Sequence, residues 1–313
     1  MGTPTAEHER RHAPDDVELW NESYYLDWFT EDGSLGGYLR IGFYPNMNRI
    51  WYWGCLVGRD RPLVMVTSHD VPLPKHPQSL EVRTEGIWAD HSVDAPLEQM
   101  SVNLEAFALE LDDPTDMYRE PRGTRVPFGF ELDFVTDRAA YLWPPIQDRY
   151  EIPCSVHGTV QVGSEVIEVD AWGQRDHSWG HPRDWWGMGW FWSAGRLDDG
   201  SRFHAVGGLH AVGGAVADSE FGVAYYLAPE ATTFEEFDKV SIDATLGEER
   251  IPTAATLRFG GLTMEIEPIA WAPVALDHHD GRQARFPRAL ARFVTDDGRS
   301  GHGWIEFNQP PIT

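Results

Sequence analysis

Gly36–Tyr44, GGYLRIGFY, and Arg49–Val57, RIWYWGCLV, are two aromatic and β-branched runs separated by Pro45-Asn46-Met47-Asn48. Runs of this kind around turn residues predict a β-hairpin. Working outward, PLVMVT (Pro62–Thr67), EGIWADHSV (Glu85–Val93), LEQMSVNLEAFALEL (Leu97–Leu111) and VPFGFELDFV (Val126–Val135) follow at short intervals. In the last of these, Phe128, Phe130, Leu132 and Phe134 alternate with Gly129, Glu131 and Asp133, the period of a half-buried strand. The stretch from Arg138 to Ile152, with Pro144-Pro145, breaks the rhythm before a second series begins. There, Val156–Val162 and Glu165–Gly173 predict a hairpin turning at Gly163-Ser164, with Ile167, Val169 and Ala171 on one face. Strand-like runs continue to GHGWIEF (Gly301–Phe307), and the best helical candidate is short, Thr232–Val240. Two strand series without strand–helix alternation predict an all-β protein of two antiparallel β-barrels. The expected organisation is a flexible lead-in over 1–16, one barrel over 17–150 and a second over 151–313.

Composition narrows the function. Asp plus Glu number 50 against 25 Lys plus Arg, a formal charge of −25, and the only lysines are Lys75 and Lys239. Such a field repels phosphate backbones and anionic lipid, so neither nucleic-acid binding nor a stable membrane anchor is expected. With 14 Trp, 15 Phe and 10 Tyr the chain is too aromatic for disorder, and 30 Gly with 22 Pro punctuate it too often for long helices. Cys55 and Cys154 alone exclude a disulfide scaffold and a CxxC site. The polar start and the lack of any long apolar run lead to the expectation of a cytoplasmic protein.

Signatures of serine hydrolases, phosphate loops, zinc proteases and dinucleotide folds are missing, and the doublets Gly207-Gly208 and Gly213-Gly214 read as strand-end turns. One segment stands apart. WGQRDHSWG (Trp172–Gly180) and the HPRDWWGMGWFW after it place six of the 14 Trp (172, 179, 185, 186, 190 and 192) beside Arg175, Asp176, His177, His181, Arg183 and Asp184. A carboxyl among indole rings is costly to ionise and can hold a proton near neutral pH, and the ring faces can stabilise a nearby cation. Those parts suit protonation of an alkene. The same residues also read as architecture: an Asp176 ion pair with Arg175 or Arg183, a buried His177 and core tryptophans. In an extended segment His177 and Trp179 point to one side and Asp176 to the other, whereas a loop would bring Asp176 and His177 together.

WGQRDHSWG resembles the signature of the carotenoid 1,2-hydratase-like and AttH-like superfamily, and NESYYLDWFTEDGSLGGYLRIGFYPN with GHGWIEFNQ is similar to the opening and closing segments of its bacterial members. The resemblance implies two packed lipocalin-like (calycin) barrels, an apolar cavity and no cofactor. It also carries the hydratases' His and Trp, two residues apart, onto His177 and Trp179. The hydratases have a Tyr-x-Asp downstream to supply the proton, and none follows His177 here. Tyr225-Tyr226 would then supply the phenol, and Asp176, Asp184 or Asp198 the carboxyl.

The leading expectation is a cofactor-independent acid–base enzyme that hydrates an alkene or dehydrates an alcohol on an isoprenoid- or polyketide-like substrate. Asp176 is its proton donor, His177 orients and recycles the proton, and Trp179 with Trp186 stabilises positive charge, while Trp186, Trp190, His204, Tyr225 and Tyr226 bind substrate. The alternatives are a non-catalytic carrier of lipophilic ligands and an isomerase or cyclase on the same scaffold. His69-Asp70, Asp90-His91 and Asp277–Asp280 look superficially like metal ligands, but no metal site is expected. His204 and His210 share a strand face that could line the cavity, with Trp51, Trp53 and Trp88 as further walls. The expected partner is an apolar small molecule, with a homodimer left open.

Overall fold

A computed structural model describes residues 2–180, 182–212 and 215–311, and the side chains of all these except 210–212 and 215–221. His181 and the Gly213-Gly214 doublet lie outside the described residues, and His210 is described only as a strand position. The first strands are β1 (Glu22–Phe29), β2 (Leu35–Tyr44), β3 (Arg49–Gly58), β4 (Arg61–Val71), β5 (Val82–Thr84), β6 (Ile87–Ala95), β7 (Gln99–Leu111), β8 (Thr124–Thr136), β9 (Tyr141–Leu142), β10 (Asp148–Val162) and β11 (Glu165–Trp179). They form one antiparallel sheet in the order β4-β3-β2-β1-β11-β10-β8-β7, and β7 returns to pair with β4 through Leu63↔Leu111 and Met65↔Leu109. Eight strands thus close a ring, with β6 and β5 continuing beyond β7. The predicted β2–β3 hairpin is present, and Asn48 at its turn takes the left-handed conformation (φ 53°) that asparagine tolerates.

The second set is β12 (Gly189–Leu197), β13 (Arg202–Val212), β14 (Ala215–Leu227), β15 (Glu235–Phe237), β16 (Val240–Leu246), β17 (Pro252–Phe259), β18 (Leu262–Trp271), β19 (Val274–Asp277), β20 (Gln283–Phe286), β21 (Arg288–Thr295) and β22 (Ser300–Asn308). Its ring runs β13-β12-β22-β21-β18-β17-β16-β14, closed by β14 against β13. The chain is all-β, two antiparallel barrels side by side.

Three of the sequence expectations shift. The change of sheet falls between Trp179 and Gly189, not at residue 150, because β10 and β11 pair with β8 and β1 of the first ring. The DHSWG run therefore belongs to the first barrel. The helical candidate Thr232–Val240 contains instead the strand β15, paired with β14, and its Phe234 packs on Tyr225 while Phe237 packs on Phe259. Tertiary contacts of two phenyl rings outweigh the weak propensity of so short a segment. Gly207 and Gly208 lie within β13, beside a break in its register with β14, and not at a strand end.

The expected lead-in is also docked. Ala6–Glu9 form a 3₁₀ turn, and Glu9 is buried, accepting from the Tyr150 hydroxyl (2.6 Å) and the Leu97 amide (2.9 Å) and pairing with Arg175 (2.9 Å).

Each barrel has its own apolar interior, and a third apolar cluster fills the seam between them. The first interior contains Tyr24, Leu26, Trp28, Tyr150, Val169 and Ala171, and the second contains Phe191, Phe203, Leu257 and Phe293. Tyr25, Trp53, Trp185, Trp190, Trp192 and Trp304 belong to the seam. Direct hydrogen bonds tie the two barrels there, from Trp304 Nε1 to the Trp28 carbonyl (3.0 Å) and from the Tyr38 hydroxyl to the Ala272 carbonyl (2.9 Å).

Candidate active site in the seam between the barrels

Register decides which side chains meet. Residues directly opposite one another in neighbouring antiparallel strands project to the same face. Trp53, Arg40, Tyr25, Asp176 and Glu151 lie opposite one another across β3, β2, β1, β11 and β10, forming one transverse row on the seam side of the first barrel. The second barrel answers with Val206, Trp192, Glu306 and Arg288, aligned across β13, β12, β22 and β21. Between these rows lies a cavity of about 360 Å³, to which Arg149, Arg183, Trp143, Trp185, Trp190 and Phe286 also contribute. Exposed Met188 and Ile146 stand on its border.

Asp176 is 5% exposed. The hydrogen bond to its carboxyl among the described residues comes from Arg149 Nη2 to Oδ2 (2.5 Å). Burial raises its pKa, Arg149 opposes, and Glu151 with Glu306 adds repulsion; the outcome is a carboxyl pushed up to about 8. Behind it, Glu151 is held as a carboxylate: burial would raise it, but Arg149 (Nε–Oε1 2.7 Å) and Gln174 (2.9 Å) more than offset that, and the Trp192 indole also donates to it (3.2 Å). His204 gives its Nδ1–H to the Ser193 carbonyl (3.1 Å) and sets Nε2 3.5 Å from Glu151, with burial bringing its pKa down to about 4. Tyr225 joins this network through Gln174 (3.0 Å).

His177 is on the other face. β11 continues through Trp179, so alternation turns His177 and Trp179 into the first barrel while Asp176 faces the seam. His177 is fully buried, stacked on Tyr24 with ring centres 3.8 Å apart, and Trp179 stacks on His12 at 4.0 Å. The His8 carbonyl can only accept, so His177 Nδ1 (2.7 Å away) carries a proton, and its Nε2 lies 3.1 Å from Glu22 Oε1. Glu22 Oε1 also accepts from His12 Nδ1 (2.8 Å). His12, Glu22 and His177 bring three ligand atoms within 4.8 Å of one another, a donor set that suits a divalent cation as well as a shared proton.

The arrangement separates residues that the sequence reading groups together. Asp176 and Trp190 border the cavity, and His204 and Tyr225 lie one layer behind it. Trp186 packs in the seam outside the cavity, its indole N–H given to the Leu276 carbonyl (2.7 Å). Tyr226 turns away from the seam and packs against the second barrel's interior, accepting from Arg299 (2.6 Å). Asp184 caps the loop amides of Trp186 and Gly187, and Asp198 accepts from the Ser300 amide. Trp51 and Trp53 are seam core, whereas Trp88 is exposed beside Phe107 on the first barrel's flank. His69 accepts the Trp53 indole (2.7 Å), His91 bonds the Leu80 carbonyl (3.2 Å), and His278 pairs with Asp280 in an exposed turn (2.8 Å). None of these three histidines belongs to a metal-type cluster among the described residues.

The residues missed by sequence reasoning are chiefly arginines. Arg40, Arg149 and Arg288, with Tyr25 and Glu306, come from strands spread over the whole chain. Arg40, Tyr25 and Glu306 do sit inside the opening and closing segments that carry the family resemblance, which was a usable signal.

Residues 5–311 match the family described as a domain of unknown function, DUF7064. The chain belongs to that family. No curated protein matches this DUF7064 chain. Among solved structures it is similar to an AttH-like protein from Nitrosomonas europaea, with 15% identity, a TM-score of 0.65 and 92% of each chain covered. It is likewise similar to CghA bound to Sch210972, at 12% identity and TM-score 0.62 over 96% of this chain and 94% of that one. Kievitone hydratase from Nectria haematococca matches at 11% identity and TM-score 0.62, over 99% and 96%. At these identities the DUF7064 chain shares their fold, the paired lipocalin-like barrels implied by the WGQRDHSWG resemblance.

Proposed function

We propose that the seam cavity is the active site of a hydratase-type lyase and that Asp176 is its acid. The carrying observation is a cavity-lining carboxyl pushed up to about 8, hence substantially protonated at neutral pH while bordering a cavity lined by aromatic rings as well as arginines. In the hydration direction the Asp176 O–H bond breaks as a C–H bond forms at one alkene carbon. Water adds through oxygen at the other carbon, and its surplus proton returns to the Asp176 carboxylate. Arg149, fixed on Glu151, holds Asp176 Oδ2 and so orients the acid. Trp143, Trp190 and Trp192 shape the apolar wall. His177 has no direct part in this scheme, because it faces the opposite side of β11. The likeness of fold to kievitone hydratase supports the reading of the reaction class.

The test is turnover of isoprenoid alkenes and tertiary alcohols in heavy-oxygen water, read by product mass. Wild type should incorporate or lose water, and Asp176→Asn should lower the rate by roughly 10²–10⁴. A folded Asp176→Asn protein with undiminished turnover removes the assignment. Unlabelled rearranged products would move it to an isomerase or cyclase, and ligands that bind and return unchanged would make it a carrier.

A further inference from the structure

Four arginines border the cavity, and they are not equally matched. Arg149 is paired with Asp176 and Glu151, and Arg288 with Glu306 (2.5 Å). Arg40 and Arg183 have no carboxylate within 4 Å among the described residues. Arg40 is 4% exposed, donates from Nη2 to Asn21 (3.2 Å) and leaves Nη1 without a partner. Its guanidinium lies over the rings of Trp53 and Trp185, at 4.8 and 5.2 Å, in space that exists because residue 42 is glycine: a Cβ there would overlap the guanidinium. Arg183 donates to Ser178 (3.0 Å) and stands over Trp185 and Trp190, at 5.8 and 5.6 Å. Buried cations without counter-charge are expensive, and ring faces recover only part of that cost. Arg40, buried, and Arg183, half-buried, on the wall of one cavity are a built receptor for an anion.

We propose that the cavity takes an apolar substrate that carries a carboxylate, anchored by Arg40 and Arg183, with its hydrocarbon against Trp190 and Trp192. This rests on the seam cavity being the substrate site, as proposed above. It also changes the electrostatics expected there. Four guanidinium groups disfavour a bare cation in the cavity, so aromatic faces alone do not set its preference; a bound carboxylate offsets the excess positive charge before Asp176 gives up its proton. Neutral alkenes are therefore the poorer substrates.

Farnesoic acid and farnesol, which share one hydrocarbon chain and differ at the head group, test this by calorimetry and tryptophan fluorescence at low salt. Wild type should bind farnesoate at least about 10-fold more tightly than farnesol. Arg40→Met and Arg183→Gln should each cut that preference to about 3-fold or less, with circular dichroism spectra and cooperative unfolding like those of wild type certifying the variants as folded. Equal binding of the two ligands, no binding of either, or a preference surviving in both variants overturns the anchor. The outcome separates the two proposals. A farnesoate preference without heavy-oxygen incorporation leaves the anchor standing and removes the hydratase reading, whereas water addition to neutral and acidic alkenes alike does the reverse.

Discussion

The two faces of β11 carry the same kinds of residue in opposite states. Inside the first barrel, Arg175 meets Glu9, and Glu22 gathers His12, His177 and, at 3.6 Å, Arg11. On the seam side, Asp176 and Arg149 pair, but Arg40 and Arg183 do not. The inner charges each face an opposite charge and are plugged by residues of the N-terminal segment, while the outer ones border about 360 Å³ of space with cationic groups left over. Burial and perturbed ionisation are common to both faces, so neither by itself marks a functional site. What distinguishes the seam is open space together with unmatched charge. A histidine and an aspartate adjacent in sequence thereby have different work: His177 binds the N-terminal segment to the barrel, and Asp176 faces the cavity.

The comparison breaks most readily at Glu9. Replacing it with leucine leaves Arg175 buried and uncompensated, which should cost about 3–5 kcal/mol in denaturant unfolding. A cost below about 1 kcal/mol would mean that the N-terminal segment is not an integral part of the first barrel.

Smaller per unit, but opposite in sign on the two faces, is the response to pH. Burial would raise Glu9 and Glu22, yet Arg175 and Tyr150 at the one, and His12 and His177 at the other, hold both below the usual 4.5. The stability they supply is complete above 4.5 and is lost as pH falls through their folded values. Asp176 is raised from 3.8 to about 8, so its contribution is complete below 3.8 and declines as pH rises through about 8. Each such group can tilt stability by at most about 1.4 kcal/mol per pH unit. Unfolding free energies between pH 4 and 9 should show a decline toward the alkaline side that Asp176→Asn removes and that Glu22→Gln leaves in place. An identical decline in Asp176→Asn would show that its carboxyl is not the group held protonated.

Alternation was readable wherever a strand has one wet face. Phe128, Phe130, Leu132 and Phe134 are buried as their spacing implies, and the hairpin at Gly163-Ser164 forms between β10 and β11. Period two already set Asp176 and His177 on opposite sides; the scheme that joined them needed a loop, and β11 runs straight through. The arginine wall was out of reach because it is a property of register. Arg40 becomes a neighbour of Asp176 only when β2, β1 and β11 lie side by side, and Arg288 only when the second barrel docks. The N-terminal segment misled for the same reason. Glu9 and His12 look solvent-bound in a polar stretch, and their partners Arg175 and Glu22 are supplied by the folded barrel.

The gentlest test uses Arg40 alone and reads stability in the absence of ligand. If its guanidinium is an unmatched buried charge, Arg40→Met keeps most of the side-chain volume, removes a desolvation penalty and forfeits one hydrogen bond to Asn21 and the contacts with Trp53 and Trp185. Replacing buried ionic groups with well-packed apolar ones is often neutral or stabilising, so the variant should unfold at equal or higher denaturant concentration, with a gain of up to about 1 kcal/mol. Inside the barrel the corresponding change at Arg175 should go the other way, because it strands Glu9. Destabilisation at both positions would erase the contrast between the faces and make Arg40 a structural cation. Stabilisation at Arg40 together with weaker farnesoate binding would be the exchange of stability for recognition that a ligand site requires.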